Sequence, residues 1–205
     1  MSDFPRHGSI QAFAMLVDIN GFTTLVDRSL GENIAKRIAD VLKEGVNAVE
    51  SHNGHVIGFM GDAFIAILKN RTEVLECSAQ IAKAVARQCS ILNDPTSNFE
   101  WPFPEGPSLK IALEYGWMDI SQVSSKAIGE QILLIGPPIN YAHRISSSGS
   151  GNRCHIGPNA AQLIGVDCEE LTGPYRVEGK KGEGIYTYYR LPMGHLWSED
   201  PVSAP

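Results

Sequence analysis

Two acids in this chain stand where apolar runs stop. In FAMLVDINGFTTLVD, Phe13 to Asp27, the run ends at Asp18, and Gly21, Phe22 and Thr23 follow within a few positions. In GHVIGFMGDAFIAILKN, two β-rich runs meet at Gly61-Asp62. Acids at the ends of adjacent strands present their carboxylates along one sheet edge, and hard oxygen ligands of that kind suit divalent cations. After Asp18, the NGFTT segment offers backbone N–H groups entering a helix, a natural anion site. A metal and a phosphate held side by side is the joint reading. Taken singly, each signal is bland: a lone Asp18 is more often a turn residue or a helix cap, and Gly-Asp is an ordinary hairpin turn. DINGF is not an EF-hand loop, because the acid spacing, the sixth-position glycine and the closing glutamate are missing.

These acids need elements to position them. Ala12 to Val17 is apolar on both faces, which predicts a central strand covered on each side. SLGENIAKRIADVLKEGVNAVESHNG carries Leu30, Ile34, Ile38, Val41, Leu42, Val46 and Val49 at helical spacing and closes on Asn53-Gly54. The Gly61-Asp62 dipeptide predicts a tight hairpin. TEVLECSAQIAKAVARQCSIL predicts a second helix on the same sheet, and LKIALEYGWMDI a further strand. Between these, Asn93 to Ser108 holds four prolines and reads as an irregular loop. Two more strands are expected around Gln131 to Ile135 and Gly184 to Leu191, separated by a helix that Pro137-Pro138 opens. A receiver-type α/β domain with Asp18 as phosphoacceptor is a rival fold, but no regular βα alternation follows Gly54.

Composition narrows the function classes. The chain has 205 residues, 43% of them apolar, enough for one packed domain. A net charge of −6 without clustered Lys and Arg argues against a nucleic-acid partner. Cys77, Cys89, Cys154 and Cys168 form no CxxC pair, so reduced structural thiols are expected. No run approaches the roughly 20 apolar residues that span a bilayer, and the N-terminus lacks a signal pattern, so no membrane partner and a cytoplasmic location are expected. The anticipated organisation is an extension over 1–11, one domain over 12–191 and a disordered tail over 192–205.

The order of the segments carries more than any one of them. FAMLVDINGFT, GHVIGFMGDAFIAIL, IGPPINYAHRISSSG and VEGKKGEGIYTYY, in that order, resemble the class III nucleotidyl cyclases, the adenylate and guanylate cyclase catalytic domain. The resemblance covers roughly Ala12 to Arg190. It implies an α+β, ferredoxin-like palm fold with a mostly antiparallel sheet covered by helices. It makes Asp18, Asp62 and the Ile19 carbonyl the ligands of two divalent cations, Mg2+ or Mn2+. Gly21, Phe22 and Thr23 would hold the triphosphate, Asn140 the ribose, and Arg144 the transition-state charge. Lys180 or Lys181 would contact phosphate, although the spacing to the last strand is longer here. The implied reaction is attack of a ribose 3′-hydroxyl on the α-phosphorus, giving a 3′,5′-cyclic monophosphate and pyrophosphate. It implies a head-to-tail homodimer in which the acids and the Asn/Arg pair of one site come from different subunits. Without the family, Arg144 reads equally well as a solvated surface arginine and Asn140 as a surface or capping amide.

The departures bear on the base. Purine-using members of the family carry a lysine four residues before the hairpin acid and a threonine or aspartate seven before the helix asparagine; this chain has Gly58 and Leu133 there. Neither side chain can hydrogen-bond a base edge. Keeping the phosphate machinery while losing the purine readers resembles the pyrimidine cyclases of bacterial antiphage signalling, the Pycsar type. Gly58, Phe59, Met60, Leu133 and Ile135 would shape a pocket for a single ring, with Ile135 weighing more as sheet core. UTP is favoured over CTP, and a separate effector that senses the cyclic nucleotide is expected. The rival functions are a purine cyclase with atypical base contacts and a catalytically silent cyclase-like regulator.

Overall fold

The computed structural model describes residues 5, 7–20, 32–92, 108–127, 129–148, 153–165 and 171–192. The candidate phosphate loop Gly21, Phe22 and Thr23, the proline-rich segment 93–107, Cys168 and the tail 193–205 lie outside them.

Strand β1 (Gly8–Asn20) runs antiparallel to β3 (Ala63–Leu68) on one side and β4 (Ser108–Ser125) on the other. Its residues Ala12 to Val17 are all buried, as a run apolar on both faces requires. Strand β2 (His55–Met60) completes the predicted hairpin with β3. Gly61 takes φ 64 at the first turn position, where a type II′ turn needs glycine, so Asp62 keeps ordinary backbone. Beyond β4 the sheet continues through β6 (Arg153–Ile156), β8 (Ile185–Pro192) and β7 (Thr172–Glu178), while β5 (Gly129–Ile135) pairs with the far half of β4. Only β4–β6 is parallel among the described pairs. The fold is therefore a mostly antiparallel α+β sheet, which removes the receiver-domain alternative.

Helices α1 (Glu32–Ser51) and α2 (Arg71–Leu92) cover one face. Ile38, Val41, Leu42, Ala48 and Val49 of α1 join Val74, Cys77, Ile81 and Ala82 of α2 in one core with Phe13, Met15 and Val17. Burying each large side chain there contributes about 1.5–3 kcal/mol. Asn53, at φ 57, ends α1, and the Gly54 N–H returns to the Val49 carbonyl at 2.9 Å. Helix α3 (Pro137–Ser146) covers the opposite face, where Ala142 and Ile145 pack on Leu16, Ala63, Ala112 and Tyr188. Pro137 opens it as expected. Helix α4 (Pro158–Ile164) returns to the α1/α2 face, its first turn fixed by the buried Glu114 carboxylate, which accepts the Tyr115 and Ala160 N–H groups at 2.8 and 3.0 Å.

Several expectations need correction. β1 begins at Gly8 rather than Ala12, and β4 extends past Ile120 to Ser125, because partner strands satisfy backbone groups there even where the side chains are polar. β6, α4 and β7 were not expected: they have 4, 7 and 7 residues, too short for a periodicity to declare itself. Ile135 is 57% exposed and is not sheet core. Cys77 and Cys154 are free and buried, their thiols pushed up to about 12 by burial, in keeping with structural roles. No helix among the described residues is long and apolar enough to cross a membrane.

One close approach links α1 to the strand that follows Asp62. A Cβ on Gly45 would stand 2.7 Å from the ring of Phe64, which is fully buried and has no room to retreat. Gly45→Ala should therefore lower stability by about 1–3 kcal/mol through overpacking, against the roughly 1 kcal/mol that alanine adds to a helix interior. Thermal melting checks this; a melting point at or above that of the parent would show that α1 and β3 can part without cost.

Candidate active site

The β1–β3 ladder brings the two acids together. Asp18 pairs with Ala63 in register, and the Ile19 N–H donates to the Asp62 carbonyl at 3.3 Å, so the last ladder position joins the end of β1 to the hairpin turn. Even-numbered residues of β1 face α3, which places Asp18 on the α3 side with Leu16 and Ala63. A cleft of about 210 Å³ opens there, lined by Leu16, Asp18, Met60, Asp62, Ala63, His143, Ser146 and Ser147.

Burial dominates the electrostatics of the pair. Burial pushes the Asp18 carboxyl above its ordinary value, opposed by Lys110, by His143 and by a hydrogen bond with Asp62. Burial likewise pushes Asp62 up; its own backbone amide opposes this and the Asp18 charge and hydrogen bond add to it. A divalent cation would relieve both burial and mutual repulsion. Among the described residues no three His, Cys, Asp or Glu side chains cluster, so such an ion would need further oxygen ligands from backbone or substrate. Ile19, whose carbonyl is one candidate, is buried at 3% exposure.

Helix α3 presents two sectors. His143 and Ser146 turn to the acid cleft, and Ile139, Ala142 and His143 line the small void beside Leu16 and Ile65. Asn140 and Arg144, four residues apart, occupy the adjoining sector of the helix, and neither lines the cleft. Asn140 is exposed. Arg144 forks onto Glu183, Nε to Oε2 at 2.5 Å and Nη2 to Oε1 at 2.6 Å. Glu183 belongs to the β7–β8 turn that also holds Lys180 and Lys181, both exposed. The chain thus brings Asp18 to Asp62 and Arg144 to the lysine turn, and keeps these two groups apart.

The candidate base residues are open to solvent. A Cβ on Gly58 would meet nothing within 4 Å. Phe59, Met60 and Leu133 are 59%, 44% and 43% exposed. The strands that carry Gly58 and Leu133 come together, since Ile57 of β2 and Leu134 of β5 pack in one cluster with Ala12, Ala14, Ile67 and Met118. Sequence reasoning missed His143 and Glu183. The signal for His143 was its place three residues after Asn140, a neighbouring position on the helix surface; Glu183, an acid within a basic glycine turn, gave no hint of its distant partner.

Comparison with known proteins bears on the family and the fold. The family model of the adenylate and guanylate cyclase catalytic domain matches residues 7–190. No curated protein sequence matches. Among solved structures, the guanylyl cyclase Cya2 superimposes with a TM-score of 0.75 at 16% identity, over 91% of this chain and 93% of that one. The adenylyl cyclase CyaB from P. aeruginosa gives 0.73 at 14% identity, over 89% and 95%. The catalytic core of a rhodopsin-guanylyl cyclase with converted specificity, in complex with ATPalphaS, gives 0.68 at 16% identity, over 94% and 100%. A match across nearly the whole chain, on a sheet of the same architecture, shows that this protein belongs to the class III adenylate and guanylate cyclase catalytic domain family.

Proposed function

We propose that this cyclase domain converts a pyrimidine nucleoside triphosphate, UTP in preference to CTP, to its 3′,5′-cyclic monophosphate and pyrophosphate, as a second messenger of the Pycsar antiphage type with a separate sensing effector. The observation that carries the choice of base is the open space over Gly58 together with an apolar Leu133, at the two positions where purine-using members keep hydrogen-bonding side chains. A purine edge left unpaired on both contacts loses about 1–3 kcal/mol per group, whereas a smaller ring need not reach them.

Each candidate residue then has a definite task. Asp18, Asp62 and the Ile19 carbonyl would hold two divalent cations, which suits a partly buried carboxylate pair whose pKa values burial raises. When bound, such cations would lower the pKa of the ribose 3′-hydroxyl and offset the triphosphate charge. By the family resemblance Gly21, Phe22 and Thr23 are assigned to the triphosphate, Asn140 orients the ribose, and Lys180 or Lys181 meets the leaving phosphates. As the 3′-oxygen bonds to the α-phosphorus, its proton departs and the bond to the β-phosphate oxygen breaks, and Arg144 meets the charge that develops. Because Arg144 and Asn140 lie off the acid cleft of their own chain, a second copy packed head to tail supplies them, giving two shared centres per homodimer.

The purine reading has one observation in its favour: the solved structures named above are adenylyl and guanylyl cyclases. Incubating the protein separately with ATP, GTP, CTP and UTP plus Mn2+, with mass identification of the products, decides between them. Cyclic UMP or cyclic CMP should dominate by a factor of roughly 100 or more, the discrimination expected when hydrogen-bonding contacts are missing for one substrate class. Dominant cyclic AMP or cyclic GMP would overturn the pyrimidine assignment.

The acid pair makes a second prediction. A carboxyl whose pKa is raised by folding favours the folded state fully below its ordinary value of 3.8, and that contribution is lost as pH rises through the raised value. At neutral pH the metal-free protein therefore carries a penalty from Asp62. Asp62→Asn should remove cyclase activity and raise the melting temperature of the metal-free protein at pH 7, with the difference vanishing near pH 3.8. Mn2+ should then stabilise the parent more than the variant. A variant that melts lower at pH 7, or that keeps its activity, would contradict the metal-pair assignment.

A further inference from the structure

The Arg144–Glu183 fork has no place in the reaction as described so far, and its geometry is unusually complete for a pair at the surface. Both guanidinium–carboxylate bonds are short, 2.5 and 2.6 Å. The carboxylate is itself held, accepting the Lys180 N–H at 3.1 Å and the Tyr186 hydroxyl at 3.4 Å on the same Oε2. The turn beneath it is closed by Gly179 N–H to the Gly184 carbonyl at 2.8 Å and Glu183 N–H to the Lys180 carbonyl at 2.9 Å. Glu183 sits between Gly182 and Gly184, at φ 93 and 85, a path that only glycines on either side permit without strain. Tyr141, a turn earlier on α3, donates its hydroxyl to the Thr187 carbonyl at 2.8 Å, accepts the Thr187 N–H at 3.0 Å, and packs edge-on against Tyr186. Helix α3 and the base of the β7–β8 hairpin are thereby one rigid body on which Glu183 is fixed relative to the arginine.

We propose that Glu183 is the positioning residue for Arg144. A guanidinium has five N–H donors, and the side-on fork through Nε and Nη2 uses two. The guanidinium also meets the Tyr186 side chain, and the end-on edge, one N–H from each Nη, is the edge that can meet a phosphoryl oxygen while the carboxylate is in place. A long side chain that would otherwise sample many rotamers is thus held in one before substrate arrives, and transition-state contacts depend on such preorganisation. The same carboxylate gathers the Lys180 N–H, so the arginine and the lysine turn keep a fixed spacing. As a surface ion pair the fork would add little to stability, so its effect belongs to the rate. This inference rests on the reading of Arg144 as the transition-state group.

The test measures kcat, KM and melting temperature for the parent, Glu183→Gln, Glu183→Asp, Arg144→Ala and the Arg144→Ala/Glu183→Gln double variant, with the best triphosphate substrate and Mn2+. Glutamine keeps the shape but offers only one acceptor oxygen. Glu183→Gln should lower kcat roughly 10- to 100-fold, the scale of loss when a reacting group is misplaced, with KM and melting temperature little changed. Glu183→Asp, which keeps both oxygens, should recover part of the loss. Arg144→Ala should lose about 10²–10³-fold, and the double variant should be no slower, because Glu183 acts only through the arginine. Arg144→Ala with parental kcat would sink the catalytic reading of the arginine. A slow Arg144→Ala beside a Glu183→Gln as fast as the parent, or faster, would leave that reading standing and overturn the positioning role, as would a further loss in the double variant.

Discussion

Two half-buried carboxylates facing each other across the end of a strand ladder impose the constraint from which the rest follows. Asp18 and Asp62 are fixed by the register of β1 on β3 and by the Ile19 N–H on the Asp62 carbonyl. Burial raises the pKa of both carboxyls, and the Asp18 charge raises that of Asp62 further. The fold maintains this unfavourable pairing by spending its most buried strand on it: Ala12 to Val17 are sealed on one face by α1 and α2 and on the other by α3.

Helix α3 divides the remaining chemistry. The face toward the sheet carries Ala142 and Ile145 into the core and His143 and Ser146 to the acid cleft. Asn140 and Arg144 lie beside it, where the arginine is tied to the β7–β8 turn. Ser147, which lines the acid cleft just past the helix end, stands three positions after Arg144, so the two sets occupy neighbouring sectors and differ in what they touch: the cleft for His143, Ser146 and Ser147, Glu183 for Arg144. On the reading proposed above, the groups that complete each acid cleft come from a second copy of the chain.

Much of this was legible in the sequence, for identifiable reasons. β1 showed itself by an apolar run on both faces, α1 by its spacing and the Asn53-Gly54 stop, the hairpin by Gly61-Asp62, and α3 by Pro137-Pro138. Each of these is a local signal that tertiary packing did not need to override. β6 was hidden because RCHI is four residues long, although its Cys154, His155 and Ile156 are buried; β7 was hidden because TGPYRVE contains a proline. Glu183 could not be found from its neighbours, because its meaning lies in a partner 39 residues away. The candidate acids and the Asn/Arg pair were legible as types, and their division between subunits was implied by the family resemblance rather than by any local pattern.

The central claim is that the acids of one chain work with the arginine of another, and mixing two inactive variants measures it directly. Asp62→Ala and Arg144→Ala homodimers should each be inactive. In a mixed dimer one centre collects both lesions and the other collects neither. With free exchange, half the dimers are mixed and each has one intact centre, so activity should return to roughly a quarter of the parent by symmetry. A mixture of Asp18→Ala with Asp62→Ala, whose lesions fall in the same half-site, should stay inactive. No recovery in the first mixture, with subunit exchange demonstrated, would contradict the shared site.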